Sequence, residues 1–218
     1  VALSHLAKGD TDTAVAELEK IASADSGGRA DIVLIASQLR ARKFDQALKA
    51  IANLEKKQPD NPLAHNLRAS AYLGKGDVAA ARKSFEQALA KNPAYFPAAA
   101  GLARLDMADK KPDEARKRFE GVLAKDPKNA QALLALAELK ARAGGKPEEV
   151  AESISKAIEA NPTEAAPRIA LIGLYLNAKQ EKKALSVAQE ALTALPDRPE
   201  ILDAAGRAQQ AAGAYNQA

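Results

Sequence analysis

The chain contains no cysteine and no tryptophan. The first absence excludes disulfides, thiolate metal sites and cysteine nucleophiles. It leaves the compartment open, because an exported bacterial protein can lack cysteine as easily as a cytosolic one. Aromatic residues make up only 4% of the 218 residues, too few for the stacking platforms of nucleic-acid or carbohydrate binders. No run approaches the ~18 consecutive apolar residues of a membrane span, and no secretory leader is visible. The two histidines, His5 and His65, have no partner at metal-ligand spacing. Ser4-His5 is simple adjacency, and neighbours on a helix point apart. His65 is expected to be a partly exposed packing residue.

Hydrophobic residues are 47% of the chain, and much of that is alanine. Alanine has the highest helix propensity and lets backbones approach closely, so this composition favours tightly packed helices over disorder. The net charge is +4 and the pI about 9.2. Basic and acidic residues are interleaved, as in Lys110-Lys111-Pro112-Asp113-Glu114. That pattern is a solvated face and not the clustered stripe of a nucleic-acid binder.

Two series share one period. Pro59, Pro93, Pro127, Pro162 and Pro196 are 34, 34, 35 and 34 residues apart. Ala14, Ala47, Ala81, Ala115, Val150, Ala184 and Ala218 are 33, 34, 34, 35, 34 and 34 apart. Such a repeat is the signature of a solenoid. The unit from Pro62 to Tyr95 predicts a helix over 63–75, a turn at Gly76-Asp77 and a helix over 78–91. Asn61-Pro62 starts the first helix as cap and first residue. Asp77 caps the second, Lys91 suits its C-terminal dipole, and Pro93 ends it. Small Ala69, Ala81, Ala88, Ala103 and Ala191 are expected to let helices close. Phe85, Leu89, Phe119 and Leu123 are expected to fill the core.

This unit resembles the tetratricopeptide-repeat (TPR) consensus at Ala69, Tyr72, Gly76, Ala81, Phe85, Ala88 and Pro93. The next matches at Leu102, Ala103, Ala115, Phe119 and Pro127. The resemblance implies an all-α fold, a right-handed superhelical α-solenoid whose first helices line a concave face. Full repeats are expected at 28–61, 62–95, 96–129, 130–164 and 165–198, with partial ones at 1–27 and 199–218. Arg68 departs from a slot usually filled by Leu. Ile51 stands where an aromatic is common, and Val150 replaces a small Ala. Asp25-Ser26-Gly27-Gly28 ends the earliest second helix with glycines. Gly144-Gly145 lengthens one turn, predicting a changed repeat angle near 144–150. The chain opens Val1-Ala2-Leu3 without Met, and Leu3 and Leu6 have little before them to pack on. Uncapped ends predict a piece of a longer array, open to end-to-end self-association.

No constellation points to catalysis, a cofactor or a metal. Gly144-Gly145-Lys146 fails as a phosphate loop, because position 140 is Lys and Pro147 stands where Ser or Thr should be. Asp113-Glu114 and Glu148-Glu149 follow prolines at helix starts, where negative charge is favourable. Asn161-Pro162-Thr163 is barred from glycosylation by its proline.

If the register of the resemblance holds, the second, fifth, ninth and twelfth residues of each repeat line the groove. They include Arg29, Ile32, Ala36 and Leu39; Leu63, Asn66, Ser70 and Leu73; Pro97, Ala100, Arg104 and Met107; Gln131, Leu134, Glu138 and Ala141; and Ala166, Ile169, Gly173 and Leu176. Chaperone-binding TPR domains place a Lys and Asn ladder there. Ile32/Ala36, Asn66/Ser70 and Ala100/Arg104 occupy the corresponding positions, so that carboxylate clamp is absent. The groove either holds a protein or peptide segment or is covered by a tightly wound superhelix.

Four stretches resemble the TPR lipoprotein of the bacterial PEP-CTERM/exosortase system: Ala2-Leu3-Ser4-His5-Leu6-Ala7-Lys8-Gly9-Asp10, Lys56-Lys57-Gln58-Pro59-Asp60, Tyr95-Phe96-Pro97-Ala98-Ala99-Ala100 and Leu123-Ala124-Lys125-Asp126-Pro127-Lys128-Asn129. That resemblance implies a protein-interaction scaffold at the cell envelope or periplasm, with a lipid-anchored parent serving exopolysaccharide assembly or protein sorting. The alternatives are a cytoplasmic TPR adaptor, or a TPR segment of an enzyme such as a glycosyltransferase.

Overall fold

A computed structural model describes residues 11–213. These residues form twelve α-helices and no strand: α1 (Thr11–Ala24), α2 (Arg29–Arg40), α3 (Phe44–Lys57), α4 (Pro62–Lys75), α5 (Val78–Lys91), α6 (Phe96–Ala108), α7 (Pro112–Leu123), α8 (Ala130–Arg142), α9 (Pro147–Ala160), α10 (Ala165–Asn177), α11 (Glu181–Ala194) and α12 (Pro199–Ala211). The all-α, tandem helix-turn-helix fold expected from the period is the one observed. The chain divides into two compact halves, Val1–Lys111 and Pro112–Ala218. Each is described by itself.

Side-chain caps start several helices. Asn61 Oδ1 accepts from the Leu63 N–H at 3.0 Å, with Pro62 as the first helical residue. Asp77 Oδ1 accepts from Ala80 N–H at 2.9 Å, and Asn129 Oδ1 from Ala132 N–H at 3.0 Å. Asp25 bonds Gly27 and Ala30 N–H after α1, so the glycine-rich stop carries its own acceptor.

The turns inside the repeats share one conformation. Arg42, Gly76, Lys110, Gly144, Lys179 and Gly213 occupy equivalent positions, and all have φ between 54° and 83°. The next N–H reaches back to close the helix: Lys43 to Gln38 O at 2.8 Å, Asp77 to Tyr72 O at 2.9 Å and Gln180 to Tyr175 O at 2.8 Å. This left-handed closure suits glycine and strains a residue with a Cβ. Arg42→Gly and Lys179→Gly should therefore each stabilise the fold by about 0.5–1 kcal/mol, the left-handed penalty less the entropy lost by glycine. Chemical denaturation of either variant with an unchanged or lower midpoint would contradict this reading of the turns. In the longer repeat, Gly145 is the added residue, placed between left-handed Gly144 and the cap Lys146.

The alanine period is the core period. Ala14, Ala47 and Ala81 in the first half and Ala115 and Ala184 in the second are 0% exposed, and Val150 is 2% exposed. Ala218 lies outside the described residues, as do Leu3, Leu6 and the Ser4-His5 pair. Phe85, Phe119 and Ile51 are buried. Leu89 and Leu123 are only half-buried, a correction to the expected core. Leu89 packs on the edge of the Phe85 cluster, and Leu123 is the last residue of α7. Two glycines set close approaches: a Cβ at Gly74 would meet the Phe44 ring, and one at Gly101 the Phe85 ring.

Candidate functional site

The first helices carry the stripe expected to bind a partner: α2, α4 and α6 in the first half, α8 and α10 in the second. Helix periodicity sends each helix's small and apolar residues inward and leaves this line outward. None of the second, fifth, ninth or twelfth positions is buried in any repeat. Arg29, Ser70, Arg104 and Glu138 are exposed, while Ile32, Asn66, Met107 and Ile169 are half-buried. The stripe is therefore accessible in the folded chain. The residues set between these positions, such as Ala64, Ala69, Ala98, Leu102 and Ala132, are core.

Within the first half, α2 and α4 touch. Asn66 brings an unmet group to this surface: its Oδ1 is enclosed and has no hydrogen-bond partner. The neighbouring Ser70 hydroxyl already donates to Asn66 O at 3.2 Å. Arg29, Arg104 and Glu138 enter no ion pair among the described residues. The stripe thus offers half-buried apolar side chains, one enclosed unpaired acceptor and separated single charges. That combination can seat an amphipathic or extended segment and fix its direction.

Behind the stripe, the structure corrects the view that the charges all form a solvated face. Asp31 and Asp106 are buried, each 2% exposed. Lys57 Nζ, on α3, lies 2.6 Å from Asp31 Oδ2 and also donates to Ala22 O at 2.6 Å. Arg82, on α5, pairs with Asp106 and Asp109 at the end of α6. Polar residues at slots that the apolar period assigns to the interior were the available signal for these ties.

His65 is likewise buried, at 6% exposure, and not partly exposed as expected. Glu55 and Arg68 explain the difference. His65 Nε2 lies 3.5 Å from Glu55 Oε1, Arg68 Nη1 lies 3.4 Å from His65 Nδ1, and the Arg68 guanidinium also pairs with Glu55. Desolvation holds the His65 pKa below its usual value against the pull of Glu55, so the ring is neutral near pH 7. The Arg68 hydrogen bond lowers the Glu55 pKa. Arg68, the departure from the usual Leu, is thus one arm of a tie between α3 and α4. Its neutral histidine is enclosed in packing.

The expected solvated charges are present elsewhere. Arg116–Asp113 and Lys117–Glu114 pair on the exposed face of α7 at 3.0 and 2.8 Å. Among the described residues no group of three or more His, Cys, Asp or Glu side chains is placed to hold a metal ion. No described helix is long and apolar enough to cross a membrane.

Two tetratricopeptide-repeat family models match, one over residues 32–96 and one over residues 72–139. No curated protein sequence matches the chain. Among solved structures, yeast Tom70 superposes with a TM-score of 0.74 at 17% identity, covering 94% of this chain and 44% of that one. A thermophilic TPR protein of Thermus thermophilus gives 0.56 at 22% identity, covering 83% and 96%. The Cut9-Hcn1 hetero-tetramer of the APC/C gives 0.56 at 17% identity, covering 95% and 41%. The chain thus spans less than half of the Tom70 and Cut9-Hcn1 chains it matches. At these identities the likeness is one of fold.

Proposed function

We propose that this chain, two stretches of which match tetratricopeptide-repeat family models, is a non-catalytic scaffold of that family whose first-helix stripes hold a segment of a partner protein. The observation that carries this is the accessibility of every stripe position, beside core residues of the same helices. The enclosed, unpaired Asn66 Oδ1 supports it, because a buried acceptor without a donor costs about 1–3 kcal/mol and a peptide N–H would complete it. Arg29 and Arg104 favour acidic groups on the first-half stripe, and Glu138 a basic one on the second.

The test is a variant with Asn66→Ala, Arg104→Ala and Glu138→Ala together, used as bait against the unaltered chain in extracts of the native organism. Partner capture should fall while the melting temperature stays nearly unchanged. Equal capture by both baits would remove the stripe from consideration.

The finer reading is a scaffold at the bacterial cell envelope, serving exopolysaccharide assembly or sorting of surface proteins. It rests on the resemblance of residues 56–60, 95–100 and 123–129, together with 2–10, which lie outside the described residues. Lipid labelling and membrane fractionation of the native full-length protein test it. An unlipidated protein in the cytosolic fraction would favour the adaptor reading instead.

A further inference from the structure

Helix α2 has a second polar face, remote from the stripe. Asp31, Leu34 and Gln38 follow at helical spacing on the side away from Ile32, Ala36 and Leu39. They floor a cleft of about 570 Å³ walled by α1 and α3, within the size range of ligand-holding pockets. Asp31 is satisfied there by Lys57. Gln38 is not: it is 2% exposed, and its Oε1 has no hydrogen-bond partner.

The α3 wall continues the pattern. Gln46, Lys49, Asn53 and Lys56 all line the cleft and are exposed. They fall at i, i+3, i+7 and i+10, a single line of about 15 Å along the helix. Carboxamides and ammoniums alternate along it. Neither Lys49 nor Lys56 is in an ion pair among the described residues. On the α1 wall stand Glu19 and Ser23, and the Ser23 hydroxyl is already used on Lys20 O at 2.7 Å.

This chemistry selects a ligand. A carboxamide offers one acceptor and two donors, and so complements the N–H and C=O of a peptide group; an ammonium offers donors only, for carboxylates. A compact anion could meet a lysine but has no donor for Gln38. No aromatic ring lines the cleft, so nothing there could stack a base. A line of about 15 Å matches four or five residues of extended chain at about 3.3 Å each.

We propose that this cleft is a second binding site, taking an extended acidic peptide segment. Its main chain bonds Gln38, Gln46 and Asn53, and its carboxylates meet Lys49 and Lys56. Glu19 on the facing wall keeps the acidic side chains to the α3 side. With the stripe on the other face of α2, the first half would hold two partners at once.

Two blocked peptides test this by NMR titration into the isotope-labelled full chain: Ser-Glu-Ala-Glu-Ala-Ser, whose glutamates share one face of an extended chain, and its counterpart with both glutamates replaced by lysine. The acidic peptide should shift the side-chain amides of Gln38, Gln46 and Asn53, and bind at least about tenfold more tightly than the basic one. Lys49→Glu with Lys56→Glu should reverse that preference. Gln38→Leu should weaken the acidic peptide about tenfold without lowering the melting temperature, since an apolar group replaces an unpaired amide. Asn66→Ala with Arg104→Ala should leave it bound, which separates this site from the stripe. Equal binding of the two peptides would overturn the proposal. So would no shift of the Gln38 amide at millimolar peptide, which would assign the carboxamide to water, or a lowered melting temperature for Gln38→Leu, which would make it structural.

Discussion

Lys57→Met should lower the unfolding free energy by about 3 kcal/mol, the cost of leaving a buried charge without its partner. Lys57 joins three helices through one ammonium. It bonds the Asp31 carboxylate of α2, itself 2% exposed, and the Ala22 carbonyl in the last turn of α1. Methionine keeps most of the side chain's volume and removes only the donors. The double variant Asp31→Leu with Lys57→Met should recover most of the loss, because it removes the stranded carboxylate as well. Lys75→Met breaks a pair of similar length with Asp45, at 2.5 Å, but both of those side chains stand in solvent. It should leave stability unchanged, because an exposed pair contributes little. Denaturant titration of the three variants decides the matter. A Lys57→Met midpoint equal to that of Lys75→Met would show that the Asp31 site is hydrated in solution.

These contrasts also mark what could be read before the fold was known. The helix pairs and their caps were legible because each depends on local chemistry. Asn61-Pro62 and Asp77 announce helix starts, and the alanine period marks where second helices press on their neighbours. The stripe was legible as a set of positions, since a helix fixes which residues share a face. Its accessibility was not, because that depends on how much surface the packed helices cover. The buried ionic ties were missed for a related reason. Asp31 and Lys57 are 26 residues apart and meet only after α1, α2 and α3 have packed. A charge that will be paired looks the same in sequence as one that will be solvated. Arg42, Lys110 and Lys179 hid the common turn, because only Gly76, Gly144 and Gly213 declare a left-handed residue by type.

Gly101→Ala should destabilise the first half by about 1 kcal/mol, although the same change usually stabilises a helix. The sign follows from two opposed terms. Alanine in place of glycine inside a helix gains about 1 kcal/mol. At Gly101 the new methyl group would project into the ring of Phe85 on α5, far inside van der Waals contact. Phe85 is 2% exposed and packed in a cluster with Ala69, Ala81 and Ala98, so its ring cannot move aside without disturbing them. Overpacking a filled core costs about 1–3 kcal/mol, enough to outweigh the propensity gain. Gly206, in α12 of the second half, would place its methyl group in open space. Gly206→Ala should therefore stabilise by about 0.5–1 kcal/mol, with no steric term to oppose it. Phe85→Leu separates the causes. If the ring is what Gly101 accommodates, adding Gly101→Ala to Phe85→Leu should cost less than in the unaltered chain, with a coupling of about 1 kcal/mol or more. Additive losses would place the penalty in the α6 backbone and not in its contact with Phe85.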